Sequence, residues 1–284
     1  MKSLSGLPAL YLANVLLAIN GVWCKSIHLD ALTITALRCA IAALALIILA
    51  SAQHTVWGFE TRNKKILIVV LGVLMGAHWS TFFHSMQVST LAIGILAHYS
   101  APVVTVILEP LLDRKWPKIK DLLAGLLVLA GLAMMVPHWD INSQAIAGIG
   151  FGLISAFTFA TRNVLQRRWL QGESGSQAMT IQVCVALVVT LPFAQFGQAM
   201  LLPAREWGYI IALGLISTAL AHTLIVVSLR ALSAKSVTLI GCFQPALAIF
   251  LGWLLLGEVP TLTTWLGGSV ILSCAFYEAW QTRR

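Results

Sequence analysis

Ionisable side chains are scarce in the apolar stretches of this sequence, and those found near the middle of a stretch are histidine and arginine rather than acid. His78, His98 and His222 each fall near the centre of an apolar run, with Trp79 and Tyr99 in the same runs and Gln244 in another as further polar candidates. An imidazole exchanges a proton near neutrality without tuning, so a histidine at membrane depth reads as a proton carrier or substrate contact; a hydrogen bond to a neighbouring helix is the plain structural alternative. His98, Pro102, Thr105 and Glu109 follow at spacings of four, three and four, which puts them on one helical face. Glu109 precedes Pro110 near the end of its run, where solvation competes with function. Pro102 and Pro245 lack the N–H that would bond the carbonyls of His98 and Gly241. Cavity water or a substrate ammonium could satisfy those carbonyls, or the prolines simply kink for packing.

Two arginines also lie inside apolar runs. Arg38, roughly 10 Å from the outer end of its helix at about 1.5 Å per residue, either snorkels to headgroups or neutralises helix carbonyls or a substrate carboxylate. Arg162 shares a face with Ser155, Phe159 and Gln166 near the cytoplasmic end, where it snorkels or contacts a gate. Asn20 and Asn163 complete the polar set as helix-binding or substrate-binding amides. No HExxH, GxSxG or P-loop string occurs, and the five cysteines are scattered without metal-ligand spacing or a disulfide framework. The expectation is a chain that is not an enzyme, with no cofactor, no metal and no catalytic residue. A membrane-embedded transferase or protease would have to use Ser80, Ser85 or Ser100 beside a histidine. A channel would show rings of like charge or a carbonyl filter loop, and neither is visible.

The elements that must position these groups follow from composition. The 284 residues are 59% hydrophobic and 10% charged, with a mean hydropathy of +0.88, against about 25% charged in a soluble domain. Apolar runs occur at 7–24, 31–51, 66–86, 90–112, 119–136, 145–169, 177–196, 207–229, 237–257 and 262–280. Each is about the length an α-helix needs to cross 30 Å of hydrocarbon. Period-2 strands are absent, which excludes an outer-membrane barrel. The fold class predicted is all-α and polytopic, with about ten transmembrane helices.

The net charge of +8 lies in the connecting loops rather than in a patch with aromatics, so it points to the positive-inside rule and away from nucleic acid. A cytoplasmic N-terminus places Lys2, Arg62, Lys64, Lys65, Arg114, Lys115, Lys118, Lys120, Arg167, Arg168, Arg230, Lys235, Arg283 and Arg284 inside, and Lys25 and Arg205 outside. Both termini are then cytoplasmic, in an inner (plasma) membrane, and the first helix is retained rather than cleaved as a signal.

An offset of 143 positions lays 96–112 over 239–255, Pro102 on Pro245, Asn20 on Asn163, Pro117 on Pro260 and Gly125 on Gly268, and brings His222 to within one or two positions of Trp79. Repeats with an odd number of spans enter the membrane from opposite sides. The chain is therefore predicted as two inverted five-helix repeats, 1–140 and 141–284, with a substrate site near the midplane between them.

These residues resemble the ten-helix EamA branch of the drug/metabolite transporter superfamily. The segment GLISTALAHTLIVVSLRALSAKSVTLIGCFQPALAIFLGWLLLGEVPTL (214–262) is similar to the family's helix 8 to 9 signature, with a mid-helix proline and a closing Gly257-Glu258. Residues 85–112 are similar to its first-half counterpart, and Ala36-Leu37-Arg38 to the arginine-bearing start of its second helix. The first-half equivalents of Gly257-Glu258 are Arg114 and Lys115, so a role needing acids at both ends is not implied. The resemblance implies transport of amino acids, metabolites or drugs, often down a proton gradient, and peripheral positions for the helices of Gly125 and Gly268. Together these readings predict a secondary exporter of small zwitterionic or aromatic metabolites. Its partners would be a small-molecule substrate and membrane lipid, with room for a homodimer. A buried carboxylate, expected of a proton-coupled exporter of lipophilic cations, is missing, which disfavours the multidrug alternative.

Overall fold

The computed structural model describes residues 6–20, 23, 26–52, 61–89, 91–135, 143–247, 250 and 261–283. Lys2, Cys24, Lys25, Gly257, Glu258, Pro260 and Arg284 lie outside the described residues.

The described chain is helical. Its elements are α1 (Leu7–Ala18), α2 (Ala31–Ala52), α3 (Arg62–Val88), α4 (Leu91–His98), α5 (Ala101–Leu112), α6 (Ile119–Met135), α7 (Ser143–Trp169) and α8 (Gly175–Thr190). After a 3₁₀ turn, Leu191–Phe193, come α9 (Phe196–Ala199), α10 (Ala204–Ala212), a π-helical stretch Leu213–Ala221, α11 (His222–Ser228), α12 (Ala234–Gly241) and α13 (Leu262–Arg283). Local chemistry starts several of these. The Asp30 carboxylate accepts from the N–H groups of Leu32 and Thr33 at 3.0 and 2.9 Å to cap α2, Thr61 accepts from Lys64 N to cap α3, and Ser233 accepts from Ser236 N to cap α12.

Among the described residues, six segments are long and apolar enough to cross a membrane: Ala31–Ala52, Arg62–Val88, Ile93–Leu112, Ser143–Trp169, Gly175–Phe193 and Ala204–Ser228. Leu7–Ala18 is a shorter apolar helix. Helix α3 reaches beyond its predicted apolar run because Arg62, Lys64 and Lys65 continue it into a polar first turn. Apolar side chains such as Leu44, Ile48, Val73, Leu126, Phe157 and Val188 are exposed on the outside of the bundle, a surface suited to acyl chains.

Packing runs in a recurring pattern. Helix α3 lies on α7 and α8, and α4 and α5 lie on α7. In the second half, the π stretch and α11 lie on α1, the π stretch on α2 and α12 on α1. Helix α2 meets α8, α5 meets α12, and α6 meets α13. Small residues permit the closest approaches: a Cβ on Gly152 of α7 would collide with Ala97 of α4, and one on Gly72 of α3 with Val185 of α8.

Candidate functional site

The helices of Arg38, Trp79, His98, His222 and Gln244 enclose a cavity of about 70 Å³. With roughly 10–15 Å³ needed per water, it holds a handful of water molecules. Of the residues singled out in the sequence, Asn20, Arg38, His78, Trp79, His98, Tyr99, Pro102, His222 and Gln244 line it. Among the described residues, none of α6 or α13 lines it.

The wall is interrupted at equivalent places. Helix α4 ends at His98, the chain turns through Tyr99 and Ser100, and α5 restarts at Ala101 with Pro102 in its first turn. Helix α12 ends at Gly241, 143 positions after His98, with a turn at Cys242 and helix again over 243–247. Each proline sits just after its break, where a missing N–H costs least.

One side of the cavity is an imidazole pair bridged by a hydroxyl. Ser155 Oγ lies 2.8 Å from His78 Nδ1 and 3.2 Å from His98 Nδ1, and also 3.1 Å from the His78 carbonyl. The two rings are 4.9 Å apart, with Phe159 4.8 Å from His78 and Phe82 4.7 Å from His98. A serine hydroxyl has one hydrogen. Pointed at one imidazole, it leaves the other to donate to Oγ; pointed at the His78 carbonyl, it can accept from both rings, so the hydroxyl rotor and the two tautomers are set together.

The facing side is built around Trp79. Its indole N–H donates to His222 Nε2 at 3.2 Å. The Arg38 guanidinium carbon lies 4.7 Å from the Trp79 ring and 5.2 Å from Phe83, in cation–π range. Arg38 Nε donates to Thr218 Oγ1 at 2.8 Å, and Thr218 in turn donates to Leu213 O, five residues earlier in the π stretch. Arg38 is 1% exposed, which corrects the snorkelling alternative: its charge is held by aromatic faces and a hydroxyl rather than by headgroups. The amides brace the wall: Gln244 Nε2 donates to Leu17 O, Asn14 Nδ2 to Ile240 O, and Ser217 Oγ to Asn20 Oδ1.

Five expected residues stand away from the cavity. Thr105 is buried with its hydroxyl on Ala101 O at 2.9 Å. Pro245 is buried without lining the space. Arg162 is fully buried rather than snorkelling: Nε donates to Gln182 Oε1 and Nη1 to Asn163 Oδ1, both at 2.8 Å, while Gln182 Nε2 donates to Gln166 Oε1. Asn163 is thus a partner of Arg162. Glu109 is partly exposed and does not line the cavity. Its two carboxylate oxygens accept from the N–H groups of Ala234 and Lys235 at 2.9 and 2.8 Å, an anion at the N-terminus of α12. Nearby, Lys235 pairs with Asp121 and Glu278, Lys64 with Glu173, and Arg168 with Asp113, so the basic end of the bundle is tied by ion pairs.

Several lining groups escaped the sequence reading, namely Asn14, Phe82, Phe83 and Thr238 in the wall, and Ser155 behind it was read only as sharing a face with Arg162. Ser155 had a signal, since it precedes Phe159 and Arg162 by four and seven on one face of α7. Among the described residues no group of three His, Cys, Asp or Glu side chains is placed to hold a metal.

Among the described residues the cavity carries an arginine, aromatic rings, imidazoles and amides, and no acid. It can hold a small polar molecule, donate to its anionic end, and surround the rest with apolar surface.

Comparison with known proteins is consistent along the whole chain. An uncharacterised transporter of Archaeoglobus fulgidus is 24% identical over 269 residues, covering 94% of each chain. The threonine/homoserine exporter RhtA of Escherichia coli strain K12 is 26% identical over 236 residues, 80% of this chain and 75% of that one. A solved crystal structure superposes with a TM-score of 0.76 at 15% identity, covering 97% of this chain and 96% of the other. The EamA-like transporter family matches twice, at residues 4–136 and 146–277. This multi-pass membrane protein therefore belongs to the EamA-like transporter family.

Proposed function

We propose that this protein is a secondary exporter of small zwitterionic metabolites, amino acids and aromatic relatives first, working by alternating access in an inner membrane with both termini cytoplasmic. The observation that carries the proposal is a cavity lined, among the described residues, without an acid and enclosed where two helices break at positions 143 residues apart. Discontinuous helices around a midplane cavity are a recurrent way for transporters to bind substrate. The double family match and the pairing of α2 with α8, α5 with α12 and α6 with α13 support two inverted repeats, 1–140 and 141–284. A helix near a pseudo-two-fold axis touches its own counterpart, and Trp79 and His222, 143 positions apart, share a hydrogen bond. The similarity to a named amino-acid exporter supports the cargo class. A lipophilic-cation exporter would need a carboxylate that the cavity lacks.

Proton exchange drives the cycle through His98 in this reading. His98 and the carbonyl freed by Pro102 share one turn, so protonation there repels a substrate ammonium and makes the two occupancies exclusive. Ser155 links His98 to His78 and spreads the site over two imidazoles; Arg38, His222 and Tyr99 are the other ionisable groups around the cavity. The test is a metabolite uptake and efflux screen in proteoliposomes with and without an imposed pH gradient. An amino acid should be transported without ATP, faster with the gradient. In His98→Gln, exchange down the substrate gradient should persist while its response to pH is lost. A pH response unchanged in both His98→Gln and His78→Gln would reject histidine coupling, and no movement of any amino acid would reject the cargo class.

A further inference from the structure

We infer that Trp79 is a positioning residue that fixes the tautomer of His222, and that the resulting His222 Nδ1–H and the Arg38 guanidinium form a receptor for the carboxylate of the cargo. The inference rests on the zwitterion reading and assigns which groups take the anionic end. An indole N–H can only donate, so His222 Nε2, 3.2 Å from Trp79 Nε1, must be the unprotonated nitrogen. Neutral His222 then carries its hydrogen on Nδ1. A doubly protonated ring would turn an N–H against the indole N–H and set a second cation beside the Trp79 ring that already faces Arg38. His222 is 4% exposed and lines the cavity, and Nδ1 has no hydrogen-bond partner among the described residues.

A buried donor left unmade is costly, so the site favours a ligand that can accept there. Arg38 and His222 both touch Trp79, which sets a guanidinium and an N–H around one indole. Among the described residues the lining holds no carboxylate, and Arg38 and His222 present donor groups on this side. Their match is an anion with two oxygens in a plane, the geometry a guanidinium fork recognises. In a cavity of about 70 Å³, a carboxylate fits that description with the least bulk.

The test is isothermal titration calorimetry on the full chain in lipid nanodiscs. The ligands are a panel of L-amino acids, the matching amino amides, and the matching 2-hydroxy acids, which keep the carboxylate and lack the ammonium. At least one amino acid should bind, with its amide at least about tenfold weaker, as expected when a charge-assisted hydrogen bond is lost. Trp79→Phe frees the tautomer and should weaken the acid about tenfold with little effect on the amide. His222→Asn returns an N–H near the position of Nδ1 and should stay within about threefold of the parent. His222→Gln can still accept from Trp79 but offers no donor on the Nδ1 side, and should lose binding like Trp79→Phe. A purely structural histidine would show the reverse order, Gln tolerated and Asn not, and that result would overturn the inference. So would equal binding of acid and amide by the parent protein, which would leave the amino-acid reading standing. Binding of hydroxy acids with no amino acid would keep the receptor and overturn the amino-acid reading, and binding of nothing in the panel would overturn both.

Discussion

Arg162 is a buried cation neutralised by dipoles rather than by an acid. Its guanidinium reaches the oxygens of Gln182 and Asn163, and Gln182 passes the network on to Gln166, all of them buried. Removing one acceptor from a buried charge costs more than removing the charge, because the ion's desolvation then goes uncompensated. Gln182→Leu should therefore destabilise the protein by about 2–3 kcal/mol, the scale of hydrogen bonds to charged groups. Adding Arg162→Met should recover part of that loss. Chemical denaturation of the two single variants and the double variant in one detergent measures the coupling, and purely additive losses would contradict a shared network. The sequence marked Arg162 as unusual but could not pair it. Its partner Gln182 comes from a second helix, α8, and helices apolar on nearly every face carry no stripe that says which way they turn. The same lack hid the role of Ser155, which comes from two histidines on α3 and α4.

At the scale of elements, α7 is the rail against which the first half packs, and its glycines differ sharply in surroundings. A Cβ at Gly152 would strike Ala97, next to His98, and come within 3.1 Å of Ser85 Oγ, whereas at Gly150 nothing lies within 4 Å. Alanine gains about 1 kcal/mol over glycine in a helix. Gly150→Ala should thus hold or slightly raise the melting temperature, while Gly152→Ala should lower it by several degrees and weaken substrate binding by displacing α4; equal melting temperatures would contradict this packing. Glu109 is the second element-scale device, joining α5 to the first turn of α12. Glu109→Gln keeps an acceptor but loses the charge at a helix N-terminus, and a loss of about 1 kcal/mol in denaturation is expected. High salt should shrink the difference between the parent and Glu109→Gln only a little, because the contact is partly buried. The helix breaks were legible from Pro102 and Pro245. The π stretch before His222 was not, since Leu213–Ala221 carries no proline or other residue that marks the five-residue backbone turn seen from His222 N–H to Ser217 O.

For the molecule as a whole, the apolar runs, the length and the loop charge carried the polytopic class, because backbone groups in lipid must bond within their own helix. The offset of 143 residues drew attention to pairs that the fold brings into the same wall, Trp79 with His222 and His98 with Gly241. The sequence could not separate lining from packing among polar residues at similar depth. Thr105 and Asn163 spend their hydrogen bonds on α5 and α7 themselves, whereas Asn20 and Gln244 reach the cavity.

The central claim is that this cavity opens in turn to each side of the membrane. Ala101 lines it and is 2% exposed, so a cysteine there reports access with a small change in volume. In a background where Cys24, Cys39, Cys184, Cys242 and Cys274 are replaced, Ala101→Cys should react with a membrane-impermeant maleimide added to either face of oriented vesicles. A transported amino acid should slow the reaction from both. Reaction from one face alone, with and without amino acid and over hours of exposure, would contradict alternating access through this site.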